Sequence, residues 1–148
     1  MAYQPKTLKP EWIKDPNGLN RESIKWAQEF GEFLAEADKS SRQKELSTSQ
    51  IRKFFGQVKR LQAQGYDETS RTDLLMLSPQ LAYAVGRDKK KVRRELVDSS
   101  KIHYFYDEVQ RAMDAVDAPH ISDEKQYFKN FVNLIEAIVA YHRFAGGE

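Results

Sequence analysis

The sequence predicts an all-α protein: a single-domain bundle of five to six helices behind an extended N-terminal arm. Three observations carry this. Apolar residues recur at helical spacing through most of the chain after residue 20, and no segment shows convincing strand alternation. Helix start and stop signals punctuate those stripes. The 148 residues, 40% hydrophobic and 31% charged, suit one soluble globular domain that needs no staple. The expected division is an arm over 1–19 and a helical bundle over 20–148.

The arm is read from Pro5, Pro10, Pro16 and the closing "DPNG" turn signal. Trp12 and Ile13 are its expected docking residues. A first helix is expected from Asn20 to Asp38, burying Ile24, Trp26, Ala27, Phe30, Phe33 and Leu34. "KSSRQKE" then reads as a polar connection.

The second helix is the most regular. Ser47 is an N-cap and Gln50 completes a capping box, with Leu46 and Ile51 placed for a hydrophobic staple. Ile51, Phe54, Phe55, Val58 and Leu61 form one stripe. At about 100° per residue, Arg52, Lys53, Lys59 and Arg60 fall opposite, around Gly56. Gly65 ends the helix.

In the third region Leu74, Leu77, Leu81 and Val85 keep helical spacing across Pro79. A break or kink is expected there, with Ser78 and Pro79 able to cap a new helix. A fourth helical region is expected over 92–117, with the stripe Ile102, Phe105, Tyr106, Val109, Met113 and Val116. Val92 and Leu96 fall off that stripe, so an irregularity is expected at 98–100. The last helix should run from near Ser122 to Gly146 and Gly147, burying Phe128, Phe131, Val132, Ile135, Ile138 and Val139.

Constellations that carry chemistry do not emerge. The chain has no cysteine, which removes disulfides and thiol catalysis. His103, His120 and His142 have no partner at metal-ligand spacing. His142 lies on an apolar stripe and reads as a packed residue; His120 follows Pro119 in a turn and reads as surface. Asp107 and Glu108 read as a solvated pair. No nucleophile elbow, phosphate loop or dinucleotide fingerprint occurs. The expectation is no enzyme activity, no metal and no cofactor. With no signal-like N-terminus and no apolar run near 20 residues, the chain reads as cytoplasmic and not membrane-bound.

Two basic clusters remain on a chain of net charge +2. Residues 46–65 carry four basic side chains and no acid; residues 86–94, "GRDKKKVRR", carry six against one. Each is either solvated surface or a contact for phosphates, where displaced counterions add affinity without reading sequence. A mid-helix glycine costs about 1 kcal/mol relative to alanine. Gly56 could admit a sugar-phosphate chain closely, or could pack beneath a neighbouring helix. The aromatics sit mostly on core stripes and make no base-stacking platform.

"LSTSQIRKFFGQVKRL", "LLMLSPQLAYAVGR" and "YFKNFVNLIEAIVAYHRF" together resemble the small helical subunit of type III-A CRISPR effector (Csm) complexes, over about residues 20–145. The resemblance implies a non-catalytic helical bundle that stacks in several copies as an inner filament. It would lie beside repeated backbone subunits that grip the guide RNA, with a large polymerase-like subunit as a further partner. It would support the guide RNA–target RNA duplex through backbone contacts. By that analogy Arg52, Lys53, Lys59 and Arg60 meet phosphates. Arg87, which closes "AYAVGR", comes next, followed by Lys89, Lys90 and Lys91. Two other readings stay open: a helical interaction module whose basic face docks an acidic protein, and helix-turn-helix DNA binding near Pro79. The second lacks a recognition-helix pattern.

Overall fold

The structure is a computed structural model, and it describes residues 6–37 and 43–146. Six helices and one small hairpin make up those residues: α1 (Pro10–Ile13), α2 (Arg21–Ala35), α3 (Thr48–Gln64), α4 (Ser70–Asp88), β1 (Lys89–Val92), β2 (Glu95–Asp98), α5 (Ile102–Val116) and α6 (Ile121–Phe144).

The longest helix, α6, is the spine, packing against α2, α3, α5 and α1. Its Phe128, Phe131, Val132, Ile135 and Ile138 are buried, as their spacing demands. The closest approach is to α2, and Gly31 is the reason. A Cβ there would stand 2.8 Å from the Ile138 carbonyl oxygen and 2.9 Å from both the His142 nitrogen and Tyr141 Cβ. Only a residue without a side chain lets the two backbones come this close.

Helix α2 starts at a reciprocal cap. Asn20 Oδ1 accepts from the Ser23 N–H at 2.8 Å, and Ser23 Oγ accepts from the Asn20 N–H at 3.0 Å. The helix ends at Ala35, and Asp38 lies outside the described residues, as do parts of the "KSSRQKE" connection and the expected terminal Gly147.

The segment read as an extended arm contains the one-turn helix α1, begun by Pro10 at its first position. Trp12 and Ile13 are both buried. Trp12 meets Trp26 at 5.7 Å between rings, and the Trp26 indole N–H donates to the Lys6 carbonyl at 2.6 Å. Asn130, fully buried on α6, donates to the carbonyls of Ile13 and Asp15, both at 2.8 Å. Glu108 accepts from the Leu8 N–H at 2.8 Å and pairs with Arg111 at 2.5 Å. Glu108 is therefore not the solvated surface group its acidic neighbour suggests; it is buried and clasps the arm. Burial raises its pKa, against the Leu8 N–H and Arg111, which lower it.

Two other expectations are corrected. Of the break or kink expected at Pro79, the break does not occur: helix α4 is continuous from Ser70 to Asp88, and no new helix starts at Ser78. Leu74, Leu77, Leu81 and Val85 lie on the buried face of both halves. At about 1.5–3 kcal/mol for each buried side chain, that stripe outweighs the ~3 kcal/mol penalty of an interior proline. Pro79 sits on the exposed side, where water can serve the carbonyl that loses its partner.

The expected helix over 92–117 begins only at Ile102. Val92 and Leu96 belong instead to an antiparallel hairpin in which Lys89 faces Asp98, Lys90 faces Val97, Lys91 faces Leu96 and Val92 faces Glu95. Arg93 and Arg94 form the two-residue turn with φ of 52° and 72°. Positive φ at both positions matches the twist of the flanking strands. The hairpin is rooted where Asp88 accepts from the Ser100 N–H at 2.9 Å, and where the Lys101 N–H donates to the Lys44 carbonyl at 3.0 Å.

Candidate nucleic-acid interface

Helix α3 presents its basic face because its other face is held. Ser47 Oγ accepts from the Gln50 N–H at 3.2 Å, and Gln50 Oε1 accepts from the Ser47 N–H at 3.4 Å. That box sets the start of the helix and its phase. Ile51, Phe54, Val58 and Leu61 are buried and Phe55 is half-buried. Arg52, Lys53, Lys59 and Arg60 are all exposed on the opposite side.

Gly56 lies on this exposed face, and a Cβ built there meets nothing within 4 Å. The reading that it packs beneath a neighbouring helix is thus removed. The glycine that performs that task is Gly31, which the apolar pattern of α2 does not single out.

Arg87 is exposed near the C-terminus of α4, its guanidinium 5.8 Å from the centre of the Tyr83 ring. Lys59 holds Gln62 Oε1 at 2.8 Å and lies 5.8 Å from the Phe55 ring centre. Among the described residues none of the eight candidate cations makes an ion pair, so their charge is available to a partner.

The fold brings two of them together across a cleft. A cavity of about 730 Å3 opens between α3 and α4, with Lys53 on one wall and Arg87 on the other. Phe54, Met76, Pro79 and Tyr83 supply its apolar lining. Gln57 donates to Gln80 at 2.6 Å across the same seam. Gln57, Met76 and Gln80 also line a smaller hollow of about 270 Å3 that contains Arg60 and Asp73. The two hollows therefore form one α3–α4 groove with basic groups along it.

Lys89, Lys90 and Lys91 follow directly after α4 on β1 and are exposed. The pleat divides them: Lys89 and Lys91 share a face with Leu96 and Asp98, and Lys90 points the other way. Their adjacency in sequence is not one surface patch. Arg93 and Arg94 at the tip add two exposed cations to the same appendage.

Sequence reasoning missed Tyr83. It falls between the buried positions Leu81 and Val85, and the residue is 69% exposed. The helical phase set by those two leucine and valine positions already turns residue 83 outward. Leu75 and Met76, 62% and 49% exposed, are further apolar groups on the outer side of α4.

The three histidines stand in three different settings. His142 is fully buried, His120 is exposed, and His103 contacts the Ser100 carbonyl at 3.0 Å. Among the described residues no three His, Asp or Glu side chains converge as metal ligands. The other buried carboxylate, Glu124, accepts from the Tyr66 hydroxyl at 2.5 Å and pairs with Arg71 at 2.8 Å. Burial, then the hydrogen bond to Glu124, pushes the Tyr66 phenol well above its ordinary value. This network ties the α3–α4 connection to α6.

Comparison with curated proteins and with solved structures gives no match. A family model described as Csm2 Type III-A matches residues 21–148, the whole bundle including the groove and the hairpin. A single family description thus spans every helix from α2 to α6, and the chain belongs to the Csm2 Type III-A family, small subunits of the type III-A CRISPR effector complex.

Proposed function

We propose that this small subunit is a non-catalytic support for the guide RNA–target RNA duplex. Several copies stack as an inner filament beside the repeated backbone subunits and the large polymerase-like subunit, in the cytoplasm. Arg52, Lys53, Lys59 and Arg60 of α3, with Arg87 and then Lys89, Lys90 and Lys91, meet the sugar-phosphate chain.

The observation that carries this reading is the row of exposed, unpaired cations along a capped, rigid helix beside the α3–α4 groove. Phosphate contacts of this kind position a duplex without reading its bases, which suits a subunit serving any guide. Gly56 fits the same role, because open space above a backbone without Cβ lets a strand approach closely. No helix among the described residues is long and apolar enough to cross a membrane.

The test is combined reversal of Arg52, Lys53, Lys59 and Arg60 to glutamate, with helical circular dichroism as the folding control. RNA affinity is expected to fall by at least about tenfold, and the wild-type affinity to drop steeply with salt. A folded variant that binds RNA as the wild type does would remove the assignment.

A second reading has one observation in its favour. Leu75 and Met76 are exposed apolar residues on α4 near the basic groups, a combination suited to a protein partner with acidic and apolar side chains. It requires that the purified chain have no RNA affinity.

A further inference from the structure

The groove between α3 and α4 is more than a basic surface. Its dimensions, about 730 Å3, fall within the ~300–1,000 Å3 of ordinary small-ligand sites. Its lining divides by chemistry. Tyr83 on α4, an aromatic residue in the lining, is 69% exposed. Arg87, one turn further on, lies 5.8 Å from that ring centre. Lys53 stands on the facing wall, and Met76 and Pro79 complete an apolar side. The acidic residue in the lining, Asp88, is engaged by the Ser100 N–H at 2.9 Å.

An aromatic face beside two cations is the arrangement that takes an unpaired nucleotide. The base stacks on the ring, the guanidinium contributes a second flat surface, and the phosphate lies between positive charges. Stacking of this type tolerates any base, because every base has a π face. It is therefore compatible with a subunit that does not read sequence. A base inside a perfect duplex is already stacked on both sides and cannot use the ring.

We infer that the α3–α4 groove binds an unpaired nucleotide of single-stranded RNA, with its base on Tyr83 and its phosphate between Lys53 and Arg87. This rests on the nucleic-acid reading above and adds to it a preference for unpaired over paired RNA.

The test uses the full-length chain and two labelled probes, a short oligouridylate and a perfectly paired RNA duplex. Tyr83→Leu keeps an apolar side chain on an exposed position and removes the ring; Tyr83→Phe keeps the ring. The expected result is oligouridylate binding about tenfold weaker in Y83L, unchanged in Y83F, with duplex binding within about twofold of wild type in both. An oligouridylate carrying 4-thiouridine is expected to crosslink to the peptide that contains Tyr83. Equal binding of oligouridylate by Y83L and wild type overturns the inference, as does an equal loss for both probes. If the α3 charge reversal abolishes binding while Y83L changes nothing, the groove assignment falls and the backbone reading stands. If the wild-type chain binds neither probe, both fall. If Y83L impairs only co-assembly with other subunits of the complex, the occupant is a protein side chain and the inference is overturned.

Discussion

His142 Nε2 lies 2.6 Å from the carbonyl oxygen of Leu46, across 96 residues of sequence. A carbonyl only accepts, so Nε2 carries the proton and Nδ1, buried without a partner, is the bare nitrogen. The Leu46 N–H in turn donates to the Leu34 carbonyl at 2.8 Å. One residue at the entrance to α3 is thus fastened to α2 and α6 together.

Burial lowers the pKa of His142 below its ordinary 6.5; the bond to Leu46 opposes this and the nearby Arg143 charge adds to it. The unfolded chain takes up a proton near 6.5, whereas the folded chain resists it until a lower pH. Stability is therefore full above about pH 6.5 and falls as pH drops from there through the folded pKa. The urea midpoint is expected to fall between neutral pH and about pH 5. His142→Leu should be less stable at neutral pH by about 1–3 kcal/mol, because the Leu46 carbonyl loses its donor. It should also show a shallower pH dependence. A wild-type midpoint with the same pH dependence as His142→Leu would contradict a lowered folded pKa at His142.

Gly31 and Gly56 should respond in opposite directions to alanine. Gly31→Ala forces a methyl against two backbone atoms of α6 and should cost about 1–3 kcal/mol, read as a lowered thermal midpoint. Gly56→Ala adds a methyl in open space on a helix and should stabilise by up to about 1 kcal/mol. If Gly56 serves close approach of a strand, the same variant should bind RNA more weakly although it is more stable.

Glu108→Ala should release the arm. It leaves the Leu8 N–H without its acceptor in a buried setting, at a cost of about 1–3 kcal/mol. Tryptic cleavage after Lys6 and Lys14 should quicken well before the bundle itself is cut. Unchanged cleavage kinetics would show that Trp12 and Asn130 hold the arm unaided.

Replacing Arg93 with Asn and Arg94 with Gly should stiffen the hairpin, since both residues adopt positive φ more readily than arginine. Slower amide exchange across Lys89–Val92 and Glu95–Asp98 is the expected readout. If the tip contacts RNA, affinity should fall with the two lost charges even as the turn gains order.

These contrasts also mark what the sequence makes visible. The Ser47–Gln50 box, the α3 and α6 stripes and the packed character of His142 follow from spacing alone, because burial of a stripe and satisfaction of a helix end are local demands. The hairpin is invisible to the same reasoning. Its turn is Arg-Arg, without the Gly, Asn or Asp that announces positive φ, and its strands are four residues long. Pro79 misleads because its penalty is local while the compensating burial of Leu74, Leu77, Leu81 and Val85 is tertiary. Glu108 misleads for a similar reason: the backbone N–H that draws it inward comes from Leu8, 100 residues away. At the groove, the cations of α3 are legible from helical phase. The pairing of Lys53 with Arg87 and the exposure of Tyr83 need the packing of α4 on α3.

The fastening of the arm has a consequence for biosynthesis. Leu8 waits for Glu108, and Ile13 and Asp15 wait for Asn130, 117 and 115 residues later. At about 5–20 residues per second, the ribosome leaves Leu8, Trp12 and Ile13 without their final partners for roughly 6–25 s. A nascent chain arrested after Val116 is expected to show red-shifted tryptophan emission that turns blue only when α6 emerges. The arm is made well before the groups that fasten it, and this interval is when a chaperone or a premature neighbour would find it.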